Sequence, residues 1–205
     1  MRVTVIDYKA GNLTSVLKAL RHLGAEPEVT DSDLTLVAAA ERIVLPGVGH
    51  FQATDRLDRT GLTAVIRAAI ARGVPFLGIC VGMQWLFAGS TEAPQQPGLA
   101  AFPQQCTRFS EGTEKVPHVG WNSLDVRPAS RLLAGVQPGA FVYFTHSYKA
   151  PVTADTAAVT TYIEPFASAV ERANIFGTQF HPEKSGETGL TILRNFLAVE
   201  PEAAC

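Results

Sequence analysis

Apolar residues fall in short unbroken runs along the first half of the chain. Each run is followed by a segment in which they recur every three or four positions. RVTVIDY (residues 2–8) is such a run and predicts a buried strand. Leu13, Val16, Leu17, Leu20 and Leu23 then follow at helical spacing, with Asn12 as the expected N-cap and Gly24 as the stop. AEPEVT and RIVLPG predict two more strands, and residues 54–71 predict one long helix with Leu57, Leu62, Val65 and Ile66 inward. VPFLGIC is a fourth apolar run, leading into a helix over residues 81–87. Unbroken apolar strands separated by helices indicate a parallel sheet covered on both faces.

The second half alternates differently. Residues 106–111, 121–126, 140–148, 157–164 and 174–180 predict strands joined by turns rich in Pro, Gly and Asp. A final helix is expected over residues 187–199. The fold class is therefore α/β: an open, mostly parallel central sheet flanked by helices, with antiparallel additions, in a single domain spanning residues 1–205. The stretch GSTEAPQQPGLAAFPQQ between the halves is long and rich in Pro, Gln and Gly, which marks it as mobile or functional.

Composition narrows the functions available. Of 205 residues, 46% are hydrophobic and 18% charged, which suits a large core and argues against disorder. Lys and Arg number 17 against 19 Asp and Glu, with no basic run, so nucleic-acid binding through a broad basic face is not expected. No apolar run approaches the roughly 20 residues that span a bilayer, and the N-terminus has no signal-peptide pattern. Cys80, Cys106 and Cys205 are odd in number and far apart, which suggests no disulfide framework, no zinc cluster and a reducing compartment. A cytoplasmic location follows as the expectation.

The candidate chemistry begins at GICVG, where Cys80 stands between Gly78 and Gly82 at the predicted change from strand to helix. A sharp strand-to-helix corner strains its central residue, and small residues two before and two after leave room for it. The N-terminus of the following helix would favour a thiolate. Buried packing explains a lone cysteine equally well, so at this point both readings stand. Two further features change the balance. His181 ends an apolar strand just before Pro182, where ligands bind in open α/β sheets, and Glu183 is close enough in sequence to orient its ring. The turn LPGVGHF has glycines at 47 and 49 that free backbone N–H groups to stabilise an oxyanion, with the Val81 N–H as the second donor.

PGVGHF, GICVGMQ and FHPE, in this order, resemble the class I (triad-type) glutamine amidotransferases. DYKAGNLTSV, KVPHVGWN, YFTHSY and NIFGTQFHPEKS resemble more narrowly the amidotransferase subunits of imidazole glycerol phosphate synthases, over residues 5 to about 196. The resemblance implies a flavodoxin-like arrangement and a Cys80–His181–Glu183 triad. Cys80 would attack the carboxamide of L-glutamine, His181 would shuttle the proton and Glu183 would orient it. Gly49 and Val81 would supply the oxyanion hole, and Gln84, Glu92, Ser147 and Tyr148 would contact the substrate. No cofactor and no metal are implied. Ammonia would pass to a cyclase subunit, a (β/α)8 barrel, in a heterodimer that serves histidine biosynthesis. KVPHVGWN, with Trp121 and Asn122, and Lys184 would lie at that interface; Trp121 and Tyr143 suit an interface or a core equally. Val81 stands where leucine is commoner in that family, but only its backbone N–H is called for. Amidotransferases for other acceptors would not be expected to combine KVPHVGWN with HSY. A peptidase of related architecture would not be expected to carry His-Pro-Glu, and an inactive binding subunit would not be expected to keep all three triad residues.

Overall fold

The protein is described from a computed structural model that covers residues 1–9, 13–112 and 114–201. The expected cap at Asn12, and Cys205, lie outside the described residues. In chain order the elements are β1 (Arg2–Ile6), α1 (Thr14–His22), β2 (Glu26–Thr30), α2 (Leu34–Ala38), β3 (Ile43–Gly47), α3 (Asp55–Arg59) and α4 (Leu62–Ala71). Then come β4 (Phe76–Cys80), α5 (Val81–Gln84), β5 (Phe87–Ser90), β6 (Phe102–Arg108), β7 (His118–Ser123), β8 (Asp125–Val126) and β9 (Phe141–His146). Last are β10 (Tyr148–Lys149), β11 (Thr156–Tyr162), β12 (Glu164–Arg172), β13 (Ile175–Thr178) and α6 (Gly186–Ala198). Single 3-10 turns occupy Phe51–Thr54 and Pro182–Lys184.

An eight-stranded sheet in the order β2-β1-β3-β4-β13-β12-β11-β8 forms the centre. Its first five strands in that order are parallel neighbours, and β12, β11 and β8 extend it by antiparallel pairing. Strands β3, β4 and β13 are buried at every position, as the unbroken apolar runs require of strands covered on both faces. Beside this sheet lie a three-stranded sheet, β10-β6-β5, and a two-stranded ribbon, β7-β9.

Four local features depart from the sequence reading. The predicted helix over 54–71 is broken at Gly61, whose φ of +79° ends α3 and starts α4. The predicted helix over 81–87 stops after one turn. The carbonyls of Trp85, Leu86 and Phe87 instead accept the N–H groups of Leu99, Phe102 and Ala100, so a returning segment replaces the helical ladder. The Pro/Gln-rich stretch is thereby the path between two strands, β5 and β6, which pair in parallel. Strand β12 was missed because EPFASAVER carries Pro165 and alternates weakly, although it is held between β11 and β13. Helix α2 was also missed; the Asp33 side chain caps it by accepting from the N–H groups of Thr35 and Leu36.

Candidate active site

The residues expected to carry the chemistry gather at the carboxyl ends of β3, β4 and β13. Cys80 is the last residue of β4 and adopts φ 55°, ψ −108°, a strained conformation for a residue with a side chain. Two glycines make the corner possible. A Cβ on Gly78 would stand 2.3 Å from the carbonyl oxygen of Gly82, and one on Gly82 would stand 1.8 Å from that of Leu45. Their role is close approach of backbone to backbone. Because α5 is one turn long, the field it offers Cys80 is that of a few free N–H groups rather than of a long helix.

His181 follows β13, the strand next to β4, in the register Gly177↔Gly78 and Thr178↔Ile79. Pro182 opens the 3-10 turn that swings Glu183 back toward the imidazole. Nδ1 of His181 and Oε1 of Glu183 are 2.9 Å apart, with both side chains almost fully buried. Since a carboxylate only accepts, Nδ1 carries the proton and Nε2 is the end left for the thiol. Nε2 is buried with no partner at hydrogen-bond distance. Burial works against a charge on this ring, but the Cys80 sulfur and the Glu183 carboxylate outweigh it and raise the pKa to about 10. Ser185 steadies the turn, donating to the His181 carbonyl at 2.6 Å and accepting from the Tyr143 N–H at 3.0 Å.

A cavity of about 220 Å³ opens over the thiol. Its lining brings together every residue expected at the oxyanion hole and at the substrate: Gly49, Val81, Gln84, Glu92, Ser147 and Tyr148. Gly49 has φ +96° and open space around its Cα, so the turn after β3 bends there. Glu92 reaches across to accept from the Phe51 N–H at 2.7 Å, capping the 3-10 turn that follows Gly49. Gln84 is buried and donates to the Tyr148 carbonyl at 2.9 Å and to Oε1 of Gln179 at 3.0 Å.

The family model described as Glutamine amidotransferase class-I matches residues 4–199. The chain belongs to the class I glutamine amidotransferases. Among the relatives of this amidotransferase, the imidazole glycerol phosphate synthase subunit HisH of Deinococcus radiodurans is 46% identical over 198 residues, covering 95% of this chain and 92% of the relative. The subunit of the same name from Chlorobium luteolum is 43% identical, covering 95% and 98%. Two solved structures share the fold. A crystal structure of a glutamine amidotransferase has a TM-score of 0.75 at 18% identity, over 95% of this chain and 96% of that one. PurLQS from Thermotoga maritima has a TM-score of 0.70 at 21% identity, over 96% and 97%.

Three residues of the amidotransferase's expected docking face lie elsewhere, on the ribbon and the 3-10 turn. Trp121 is 55% exposed, which excludes the core reading, and it meets Tyr143 edge-on at 6.1 Å. Lys184 is exposed and holds its ammonium 5.8 Å from the Tyr143 ring centre. The half-buried Asn122 donates to the Thr161 carbonyl at 3.1 Å and accepts from the Ser123 N–H at 2.8 Å. Cys106 is buried, and burial pushes its thiol pKa far up, which holds it as the neutral thiol. The sequence reading passed over Gln179, Thr145 and His146. The Gln179 amide nitrogen lies 3.7 Å from the Cys80 sulfur, and the Thr145 carbonyl lies 3.9 Å from it. Gln179 was findable: it stands two residues before His181, hence on the same side of an extended chain.

Proposed function

We propose that this chain is the glutaminase subunit of an imidazole glycerol phosphate synthase. It acts in the cytoplasm as one catalytic domain, with Cys80, His181 and Glu183 as its triad. The observation that carries the reading is the buried His181–Glu183 contact of 2.9 Å behind a cysteine held in a strained corner. The relatives' shared name supplies the acceptor pathway. Glutamine enters the cavity and its carboxamide carbon is attacked by the Cys80 sulfur, whose proton passes to Nε2 of His181. The N–H groups of Gly49 and Val81 receive the oxyanion. As the C–N bond breaks, His181 returns the proton to the leaving nitrogen, giving ammonia and a glutamyl thioester. Water, deprotonated by His181, then hydrolyses the thioester to glutamate and frees the thiol.

The ammonia goes to a cyclase subunit with a (β/α)8 barrel, since release into water at neutral pH would convert it to non-nucleophilic ammonium. The ribbon face bearing exposed Val119, Trp121 and Phe141, with Lys184 beside it, supports the docking site. The test is a glutaminase assay of the chain alone and with the cyclase subunit. Glutamine turnover that rises on complex formation and vanishes in Cys80→Ala is expected. Equal turnover with and without the partner would overturn the coupled reading.

A further inference from the structure

Two buried histidines outside the triad remain without a function, His118 on β7 and His146 on β9, paired across the ribbon at 3.1 Å between Nδ1 of the first and Nε2 of the second. Both are held neutral by burial, with pKa values lowered to about 4 and about 3. A neutral imidazole has one donor and one acceptor, so one fixed link determines the others. The fixed link is the backbone carbonyl of Tyr148, which can only accept and lies 2.8 Å from Nδ1 of His146. Hence Nδ1 of His146 bears the proton, and its Nε2 accepts. Nδ1 of His118 must then donate to it, and Nε2 of His118 is left to accept from the Asn122 amide at 3.4 Å. Tyr162 and Phe144 stack on the His118 ring at centroid distances of 4.0 Å and 4.7 Å and hold its plane.

The same carbonyl is shared with the reaction centre, because Nε2 of Gln84 also donates to it. Nε2 of Gln84 spends its second proton on Oε1 of Gln179, which turns the Gln179 amide so that its nitrogen faces the Cys80 sulfur. His146 and Gln84 both donate to the Tyr148 carbonyl, and from Gln84 onward each amide donates toward Cys80, so reversing the Gln179 amide would present an oxygen lone pair to its sulfur. An N–H in that place stabilises sulfur as it gains negative charge.

We propose that His118 and His146 are positioning residues for glutamine hydrolysis: they fix the Tyr148 carbonyl, which sets the Gln84 and Gln179 amides so that an N–H is aimed at Cys80. The proposal rests on the reading of Cys80 as the nucleophile. Its test compares His118→Leu and His146→Leu with His118→Asn and His146→Asn in the complex with the cyclase subunit. An Asn amide nitrogen can replace the donating Nδ1. Expected are a fall in kcat of about tenfold in the Leu variants, the size of one lost buried hydrogen bond, with the KM for glutamine little changed, and recovery in the Asn variants. The rate of Cys80 alkylation by iodoacetamide should follow kcat. Unchanged kcat and alkylation in the Leu variants, or equal losses in Leu and Asn variants, would overturn the proposal. If the Leu variants do not fold, nitrogen-15 spectra of the wild-type histidines decide: both must be neutral Nδ1–H tautomers, and an Nε2–H tautomer at His146 refutes the chain. Undiminished hydrolysis by Cys80→Ala would instead overturn the reading of the nucleophile, which the tautomer measurement does not touch.

Discussion

The carbonyl oxygen of Leu45, on β3, fills the place where a side chain on Gly82 would have to go, 1.8 Å from its Cβ. Strand β3 and the helical turn after Cys80 therefore touch through backbone, with nothing between them that can yield. Gly82→Ala is expected to destabilise the protein by about 1–3 kcal/mol, the usual cost of overpacking, and to displace Cys80 from its strained conformation. Thermal unfolding should show a lower Tm, and glutaminase activity should fall with it. A variant as stable and active as the wild type would mean that the corner can relax.

The raised pKa of His181, set by the Cys80 sulfur and then by Glu183, predicts a pH signature. The folded pKa of His181 lies above the ordinary value of about 6.5, so its contribution is whole below pH 6.5 and is lost as pH rises through about 10. The Tm gap between wild type and Glu183→Gln should thus be widest near pH 6 and close toward pH 10. The same substitution leaves the imidazole without its orienting anion, and kcat should fall by about 10²–10⁴-fold. A Tm gap that widens with pH would contradict this account.

Glu92 has two tasks at the cavity, facing the substrate space and capping the 3-10 turn through the Phe51 N–H. Glu92→Gln keeps the size and an acceptor but removes the charge. A rise in KM for glutamine of about 10–100-fold is expected, the size of one charge-assisted hydrogen bond to the substrate. Steady-state kinetics of the complex check it, and an unchanged KM would remove Glu92 from the substrate site.

Trp121 is an exposed aromatic group on the ribbon face. Trp121→Ala should leave Tm within about 1 °C, because the side chain is exposed, and should weaken binding of the cyclase subunit by about 10–1000-fold. Titration calorimetry with that subunit is the measurement. Unaltered affinity would place the docking surface elsewhere.

Much of this was legible in the sequence, for reasons that differ by residue. The strands β1, β3, β4 and β13 announced themselves because burial on both faces demands unbroken apolar runs. The Cys80 corner was readable because its glycines are required by backbone contact, which no other residue type satisfies. The break at Gly61 was hidden by apolar spacing that continues across it, and the early end of α5 by backbone bonds to Leu99 and Phe102, partners far along the chain. The His118–His146 pair was unreadable for the same reason: its members lie 28 residues apart and meet only through the register of the ribbon. The Asn122 bond to the Thr161 carbonyl was equally out of reach of the sequence, since it joins residues 39 positions apart.

Cys80 ends β4 and His181 follows the adjacent parallel strand β13, the two strands being paired Gly177↔Gly78 and Thr178↔Ile79. The two strands lie at the spacing of about 4.8 Å that backbone hydrogen bonds impose, which anchors the segments from which both side chains project. The glutamine-splitting centre works as a cartridge set into the sheet. The ribbon and the small sheet, through Thr145, His146 and Tyr148, then wall the cavity above that sheet.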